Sequence, residues 1–207
     1  YGVVGIDMVA GPSEIVVVAD AKNDPHVIAA DLLSQAEHDP TSQSILFTDD
    51  ADFADAVAAA VAHVIPTLST ATTMQASWAD NGAAIVVPAL ADAIPLCDRL
   101  APEHLELAVD PAEADALFAK VRHAGSVFLG RQTPEAIGDY VAGPNHVLPT
   151  GRRARFSSGL SVTDFMKRTS FLALDDASLA AIGPAAVALA KAEGLPAHAL
   201  SVQNRLK

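Results

Sequence analysis

The sequence lacks the features that mark several large classes of protein. It has one cysteine, Cys97, so no disulfide can form within the chain, and a reducing location such as the cytoplasm is the simplest prediction. No stretch approaches the roughly 20 apolar residues of a membrane span, so we expect no membrane partner. Basic residues are scarce, and the net charge of -12 excludes a general nucleic-acid binder, which needs clustered Lys and Arg.

Short catalytic signatures are missing as well. The sequence contains no G-x-G-x-x-G loop, no P-loop, no H-E-x-x-H and no G-x-S-x-G. The one basic cluster is Arg152, Arg153 and Arg155. It is too short to indicate a nucleic-acid surface, although it could meet a carboxylate or a partner protein.

What the sequence does contain is a regular alternation of apolar runs and helical patterns. About half of the residues are apolar, 51%, which is enough for a sizeable core. Runs of strand length cover residues 14–19, 44–48, 83–88, 105–109 and 126–130. Helical patterns cover residues 26–38, 50–65, 89–100 and 111–121. Short strands separated by helices predict an α/β layered fold with a largely parallel sheet.

The character of the sequence changes after Phe156. Residues 1–156 read as the α/β domain, and residues 157–207 read as a small, mainly helical C-terminal unit with an Ala-rich helix and a final helix. The Ala-rich helix could be kinked at Gly183-Pro184. The first residue is Tyr1 and the chain opens in the middle of a pattern, so we expect an N-terminal part of a longer protein to precede it.

Polar clusters supply carboxylates, imidazoles and one amide to the loops between these elements. Ligands of open α/β sheets gather at the carboxyl ends of the strands, and we expect the clusters to meet there. They contain Ser13, Gln35, His38, Glu103, His104, Asp139, His146, Glu193 and His198. The residue types indicate a divalent metal site with mixed nitrogen and oxygen ligands and a nearby acid-base pair.

Two pairs of these residues, Gln35 with His38 and Glu103 with His104, could have either a functional or a purely structural role, and their spacing does not decide between the two. Gln35 and His38 are three residues apart, which places them on one face of a predicted helix. They could be two arms of a binding site, or a solvated helix end where His38 interacts with the helix dipole. Glu103 and His104 could serve separate proton transfers, or could form a solvated turn before a strand.

The remaining candidates have structural alternatives too. Asp139 could be a turn residue or a cap, and His146 could be a structural histidine in its turn-rich loop. Glu193 and His198 could be a solvated pair on neighbouring faces of one helix. Cys97 lies in an apolar helix and is expected in the core.

Several segments, taken together, resemble one enzyme family. The stretches "IAADLLSQAEHDPTSQSILFTD", "APEHLEL", "TPEAIGDYVAGPNHVLPTG" and "EGLPAHALSV" resemble histidinol dehydrogenase, and they occur in the family's order over nearly the whole chain. The resemblance implies NAD-linked oxidation of L-histidinol through L-histidinal to L-histidine, the last step of histidine biosynthesis. It also implies a Rossmann-like, incomplete sheet.

The resemblance assigns roles to individual residues. One Zn²⁺ per site would be held by Gln35, His38, Asp139 and His198. Glu103 and His104 would be the acid-base catalysts. The substrate would be contacted by Ser13, Gln35, His38, His104, Asp139, His146, Glu193 and His198.

The resemblance also carries expectations about the rest of the enzyme. Family members are about twice as long, and most NAD contacts would come from the half that this chain does not match. Residues 157–207 would reach across a homodimer, so that His198 and Glu193 complete the neighbour's site. Two alternatives remain: a zinc hydrolase in which Glu103 activates a metal-bound water, and a non-catalytic half that binds zinc or histidinol and needs a partner chain.

Overall fold

The computed structural model describes residues 2–206 and contains a five-stranded parallel sheet. The strands are β1 (Glu14–Ala19), β2 (Gln43–Thr48), β3 (Ala83–Val86), β4 (His104–Ala108) and β5 (Ser126–Leu129). They lie in the order β3-β2-β1-β4-β5, and every neighbouring pair is parallel. The predicted α/β fold with a parallel sheet is confirmed. β1 and β4 are buried along their whole length, as expected for central strands of a sheet that is covered on both faces.

Helices cover both faces of this sheet. They are α1 (Pro25–Ala36), α2 (Ala51–Val64), α3 (Ala71–Asn81), α4 (Leu90–Leu100), α5 (Pro111–Phe118) and α6 (Glu135–Tyr140). The sequence marks several of their starts. The Asp24 carboxylate accepts from the His26 backbone N–H at the start of α1, and Asp50 accepts from Phe53 at the start of α2.

Alternate residues of β1 point to opposite faces and enter two separate cores. Ile15 and Val17 pack with α1, α2 and α3, where the partly buried Trp78 also lies. Val16 and Val18 pack with α4 and α5, and Cys97 belongs to this second core, as predicted. The two cores fix the sheet between the helix layers and so fix the position of every loop at its edges.

The structure differs from the sequence prediction at three helices. α1 ends at Ala36, so His38 lies in the turn beyond it and the predicted helix to His38 is too long. α3 and α6 are additional helices. α3 has a weak apolar pattern, with Met74 and Ser77 as its buried residues, and α6 has only six residues, including Gly138. Neither of these two segments shows the repeated helical spacing of apolar residues by which helices are recognised in a sequence.

The chain divides into two compact units, one up to Phe165 and the other from Met166 onward. The second unit contains α7 (Asp176–Ala192) and α8 (Pro196–Gln203), which pack against each other. α7 continues through Pro184. Across residues 2–206, every helix is too short or too polar to cross a membrane.

Candidate active site

The candidate residues of the first unit collect at the amino edge of the sheet. Ser13 directly precedes β1, Glu103 directly precedes β4, and His104 is the first residue of β4. α1 connects two parallel strands and therefore runs back toward their amino ends, which brings Gln35 in its last turn to the same edge. The expectation that these residues meet at the carboxyl ends of the strands is wrong.

Gln35 and His104 form the centre of this cluster. The Gln35 side-chain Oε1 lies 2.9 Å from His104 Nδ1. Gln35 is 2% exposed and His104 is 3% exposed, so the alternative of a solvated helix end is wrong for Gln35. Glu103 is buried as well, which excludes a solvated turn at Glu103 and His104. Buried polar atoms need partners, and here the Gln35 oxygen and His104 Nδ1 are partners of each other.

Glu135 is a site residue that the sequence reasoning missed. It is the first residue of α6 and is 2% exposed, and its Oε1 lies 3.6 Å from His104 Nδ1. Its other oxygen accepts a hydrogen bond from Ser34 Oγ at 2.8 Å. One signal could have found it: Glu135 stands four residues before Asp139, and this spacing places both on one helical face.

A group of three ligand-type side chains lies in the same place. One atom each of His104, Glu135 and Asp139 lies within 4.8 Å of the other two. Imidazole nitrogen and carboxylate oxygen are ligands that zinc accepts. Asp139 belongs to this group and also to the predicted zinc set, and Gln35 touches the group through His104. The donor chemistry therefore fits a divalent metal at this edge.

His38 and His146 lie near this group but are exposed. Because α1 ends at Ala36, the single helical face predicted for Gln35 and His38 is wrong. Even so, His38 and His146 are close enough for their positive charges to lower the pKa of His104. The first unit thus brings together all of the predicted candidates that it contains.

A cavity of about 170 Å³ opens beside His104. Its wall includes Phe128, Asp139 and His146. The Phe128 ring packs against His104 with ring centroids 5.9 Å apart. A Cβ on Gly138 would lie only 2.8 Å from the Phe128 ring, so glycine lets α6 approach this wall closely. The His104 Nε2 atom is buried without a hydrogen-bond partner among the described residues.

Burial moves the pKa values of the acid-base pair in opposite directions. Burial lowers the pKa of His104 to about 4, helped by the charges of His38 and His146, so the imidazole is neutral at pH 7. Burial raises the pKa of Glu103 to about 7, and Ser13 partly offsets this rise. A neutral imidazole and a partly ionised carboxyl are both able to accept a proton near neutral pH.

Three further carboxyl groups with raised pKa values are buried or partly buried in the first unit. Burial raises the pKa of Glu135 to about 7 and that of Asp31 to about 6. The pKa of Glu106, two residues along β4 from His104, is raised well above its ordinary value by burial and by the neighbouring Asp31. Such shifts concentrate at functional sites, because structures built only for stability avoid burying acids.

A buried glutamate supports the loop that carries Glu103. Glu14 Oε2 accepts from the Glu103 backbone N–H at 3.3 Å, and Oε1 accepts from the Arg152 backbone N–H at 3.0 Å. The start of β1 therefore holds both the loop before β4 and the turn at Arg152. Arg152 acts on Glu14 both through this backbone hydrogen bond and through its positive charge, and each lowers the pKa that burial raises.

The two remaining candidates lie in the second unit. Glu193 is the residue at the C-terminal end of α7, and His198 lies in α8. Gly194, with φ of +72°, separates the two helices, so the prediction of neighbouring faces on one helix is wrong. Both side chains are exposed.

Charged groups at the opposite, carboxyl edge of the sheet are paired with one another. Arg131 binds Asp20 through two nitrogens, at 2.5 and 2.7 Å, and also contacts Asp110. Lys22 forms a further ion pair with Asp110. This network connects the segments that follow β1, β4 and β5. The charges at this edge therefore stabilise the fold.

The fold and the amino-edge cluster define a class of protein: an α/β domain with a buried acid-base pair beside a candidate metal site. Comparison with known proteins gives the family. The family model described as histidinol dehydrogenase matches residues 1–206. The chain belongs to the histidinol dehydrogenase family, and the resemblance found in its sequence is confirmed.

Individual relatives agree with this assignment. The chain is 68% identical over 206 residues to histidinol dehydrogenase of Zymomonas mobilis and 65% identical to that of Caulobacter vibrioides. Each match covers all of this chain and 47% of the relative. The crystal structure of histidinol dehydrogenase from Elizabethkingia anophelis matches with a TM-score of 0.87 and 39% identity, over 98% of this chain and 46% of that one. The chain thus spans about half the length of the curated relatives it matches.

Proposed function

We propose that this chain forms the zinc- and histidinol-binding part of a histidinol dehydrogenase, which oxidises L-histidinol through L-histidinal to L-histidine in the last step of histidine biosynthesis. The observation that carries the proposal is the buried Glu103-His104 pair beside nitrogen and oxygen donors, in a chain that belongs to this family. NAD would accept the hydride in both oxidations.

Zinc would be held by Gln35, His38 and Asp139, with His198 as the fourth ligand. When bound, the ion would hold the nitrogen atoms of histidinol and so fix the reacting carbon. His104, Glu135 and Asp139 form an overlapping donor group. We favour the first set because an imidazole bound to a metal has no lone pair to accept a proton, and His104 is needed as a base.

His104 would act in the first oxidation. Its imidazole is neutral at pH 7, and Nε2 has no partner in the described part of the chain. Nε2 would accept the hydroxyl proton of histidinol while the carbon loses its hydride, leaving the aldehyde. Contact of Nδ1 with Gln35 leaves Nε2 as the atom with a free lone pair.

Glu103 would act in the second oxidation. The aldehyde must gain water before it can lose a second hydride, and a carboxylate can remove a proton from that water. A pKa of about 7 leaves a substantial fraction of Glu103 ionised at neutral pH. Burial raises the pKa of the Cys97 thiol to about 12, and Cys97 lies in the core, so this chain would contribute no thiol nucleophile to the reaction.

The other assignments follow from the family motifs. Ser13, His146 and Glu193 would contact the substrate. Glu193 and His198 would come from a second copy of the chain, with residues 157–207 as the dimerisation unit and residues 1–156 as the α/β domain. We assign no residue of this chain to NAD. The single buried cysteine agrees with a cytoplasmic location.

Complementation tests the proposal. The chain would be co-expressed with the part of the Zymomonas mobilis relative that it does not match, and NADH formation would be measured with histidinol. We expect turnover from the pair, and zinc and histidinol binding without normal turnover from the 207-residue chain alone. Turnover at the rate of the pair by the chain alone would contradict the proposal. Ester cleavage without any nucleotide would instead indicate a zinc hydrolase, and zinc or histidinol binding without turnover in either form would indicate a binding half.

A further inference from the structure

Glu135 contacts the proposed base without belonging to any role assigned above. Its side chain is 2% exposed, and its two oxygens point to different partners. Oε1 lies 3.6 Å from His104 Nδ1, and Oε2 accepts from Ser34 Oγ at 2.8 Å. Ser34 is the residue before Gln35, so one buried carboxyl connects the last turn of α1 to the first residue of β4.

The surroundings of His104 Nδ1 determine where the ring carries its proton. Gln35 Oε1 lies within hydrogen-bond distance of Nδ1 at 2.9 Å, and Glu135 Oε1 lies just beyond that distance at 3.6 Å, where its charge still acts on the ring. A neutral imidazole has one N–H, and an acceptor beside Nδ1 draws the hydrogen there. Nε2 then keeps its lone pair, and this atom is buried without a partner in the part of the chain that the structure describes.

We infer that Glu135 is a positioning residue for His104, which holds the hydrogen on Nδ1 and leaves Nε2 free to accept a proton. Gln35 alone would hold the hydrogen on Nδ1 less firmly, because its oxygen is also a proposed zinc ligand. When that oxygen is shared with a metal ion, Glu135 remains as a dedicated acceptor for Nδ1. An ionised carboxylate also attracts an N–H more strongly than a neutral amide does, and a bound divalent ion nearby favours that ionised form of Glu135. This inference deepens the proposed function and rests on it for the role of His104.

The alternative role for Glu135 is direct metal binding. It belongs with His104 and Asp139 to the group whose ligand atoms lie within 4.8 Å of one another. Against that role, Oε2 is already used by Ser34, and Oε1 faces the ring nitrogen. The positioning role predicts unchanged zinc content in Glu135→Gln and the ligand role predicts a loss of zinc, so an experiment separates them.

The first measurement is the nitrogen NMR spectrum of the imidazoles in the 207-residue chain, which distinguishes an N–H from a bare ring nitrogen. His104→Gln identifies the His104 signals. We expect the wild type to carry its hydrogen on Nδ1. Glu135→Ala, with zinc bound, should move a substantial part of the population to Nε2–H, whereas Glu135→Gln, which keeps an acceptor, should restore most of the Nδ1–H form.

A further variant, Gln35→Ala, tests the inference without altering Glu135. Glu135 is then the remaining acceptor, so the Nδ1–H form should persist. Loss of that form in Gln35→Ala would show that the amide alone holds the ring, and would overturn the inference. Glu113→Gln is the control, because it removes an exposed carboxyl in the first turn of α5 and should leave the His104 signals unchanged.

Zinc content and kinetics complete the test. Zinc content should be unchanged in Glu135→Gln, and a loss of zinc would make Glu135 a ligand and overturn the inference. In the complemented enzyme, Glu135→Ala should lower kcat with little change in KM, by about the 10- to 100-fold that follows loss of the hydrogen-bond partner of a metal-bound histidine. If complementation gives no turnover, the proposed function fails, while the NMR and zinc results still decide the role of Glu135.

Discussion

Replacing Glu103 by glutamine should stabilise the metal-free chain at alkaline pH. Glu103 is buried, and its Oε2 has no hydrogen-bond partner in the described residues. Burial raises the pKa of this carboxyl from 4.5 to about 7. In the unfolded chain the group ionises near 4.5, so between these values the folded state holds a proton that the unfolded state has released.

The sign and size of the effect follow from this difference. Stability from a raised carboxyl pKa is complete below the unfolded value and is lost as pH rises through the folded value. Each pH unit across this interval costs about 1.4 kcal/mol, so Glu103 should lower the free energy of unfolding by roughly 3 kcal/mol at pH 8. Glutamine has a similar shape and never ionises. Glu103→Gln should therefore match the wild type near pH 5 and exceed it by roughly 2–3 kcal/mol at pH 8.

Urea unfolding at several pH values between 5 and 8, with a chelator present, measures this difference. Trp78 is the single tryptophan and packs against the core formed with α1 to α3, so its fluorescence reports unfolding of the first unit. Glu113→Gln is the control, because Glu113 is exposed in the first turn of α5 and its loss should change little.

Two outcomes would refute this reasoning. One is a wild-type stability that rises between pH 5 and pH 8, since the buried acids Glu135 and Glu106 and the partly buried Asp31 also have raised pKa values and act in the same direction as Glu103. The other is an equal loss of stability in Glu103→Gln at every pH. That result would mean that Glu103 contributes through a contact that glutamine cannot make, and that its ionisation costs little.

Three further predictions concern other parts of the chain. Asp139→Ala should lower the zinc content of the dialysed chain, measured by mass spectrometry, because Asp139 belongs to both donor sets; full retention of zinc would contradict both sets. The Cys97 thiol should be unreactive toward Ellman's reagent at pH 8 until urea unfolds the chain, since it is buried and its pKa is about 12; prompt reaction of the folded chain would contradict its place in the core. Arg131→Met should reduce the free energy of unfolding by about 1–3 kcal/mol at pH 7. Arg131 lowers the pKa of Asp20, so this deficit should shrink as pH falls through that lowered value, and a deficit independent of pH would exclude the ion pair as its cause.

The strands could be predicted from sequence because each is a short β-branched or aliphatic run between turn-forming residues. β1 begins and ends where its run does, and β2 to β5 differ from the prediction by only one or two residues at an end. α3 and α6 could not be predicted in this way. α3 is held by tertiary contacts such as the hydrogen bond from Ser77 Oγ to the Ser42 carbonyl, which is formed only after the chain folds.

The candidate site was only partly predictable, because it too depends on contacts between residues that are distant in sequence. Burial of Gln35 depends on its contact with His104, which is 69 residues away in sequence. Glu135 reads as an ordinary acid in the first turn of a helix, and its importance comes from lying against Ser34 and His104. Family motifs named Gln35, His104 and Asp139, but a motif does not say which neighbouring acid touches them.

The edge of the sheet at which the site lies also needed the structure. The rule that ligands gather at carboxyl ends holds for open sheets in general, and here the strand order reverses between β1 and β4. At that carboxyl edge, however, the charges of Asp20 and Arg131 are used in a bidentate ion pair. The buried acids and imidazole lie at the other end of the same strands, where α1 returns Gln35 to the sheet.

A cation at the amino edge of the sheet would offset the free energy that ionisation of the buried acids there costs the folded state. Without a cation, ionisation of Glu103 and Glu135 is opposed by burial and by neighbouring carboxylates. A divalent ion nearby favours the ionised form of each acid, so it should offset the loss of stability that rising pH otherwise causes. Zinc should therefore raise the urea midpoint of the wild type more at pH 8 than at pH 6, with the zinc concentration adjusted so that the site is saturated at both. In Asp139→Ala the increment should be small at both pH values, and an equal increment in the wild type at both would mean that the ion binds away from these acids.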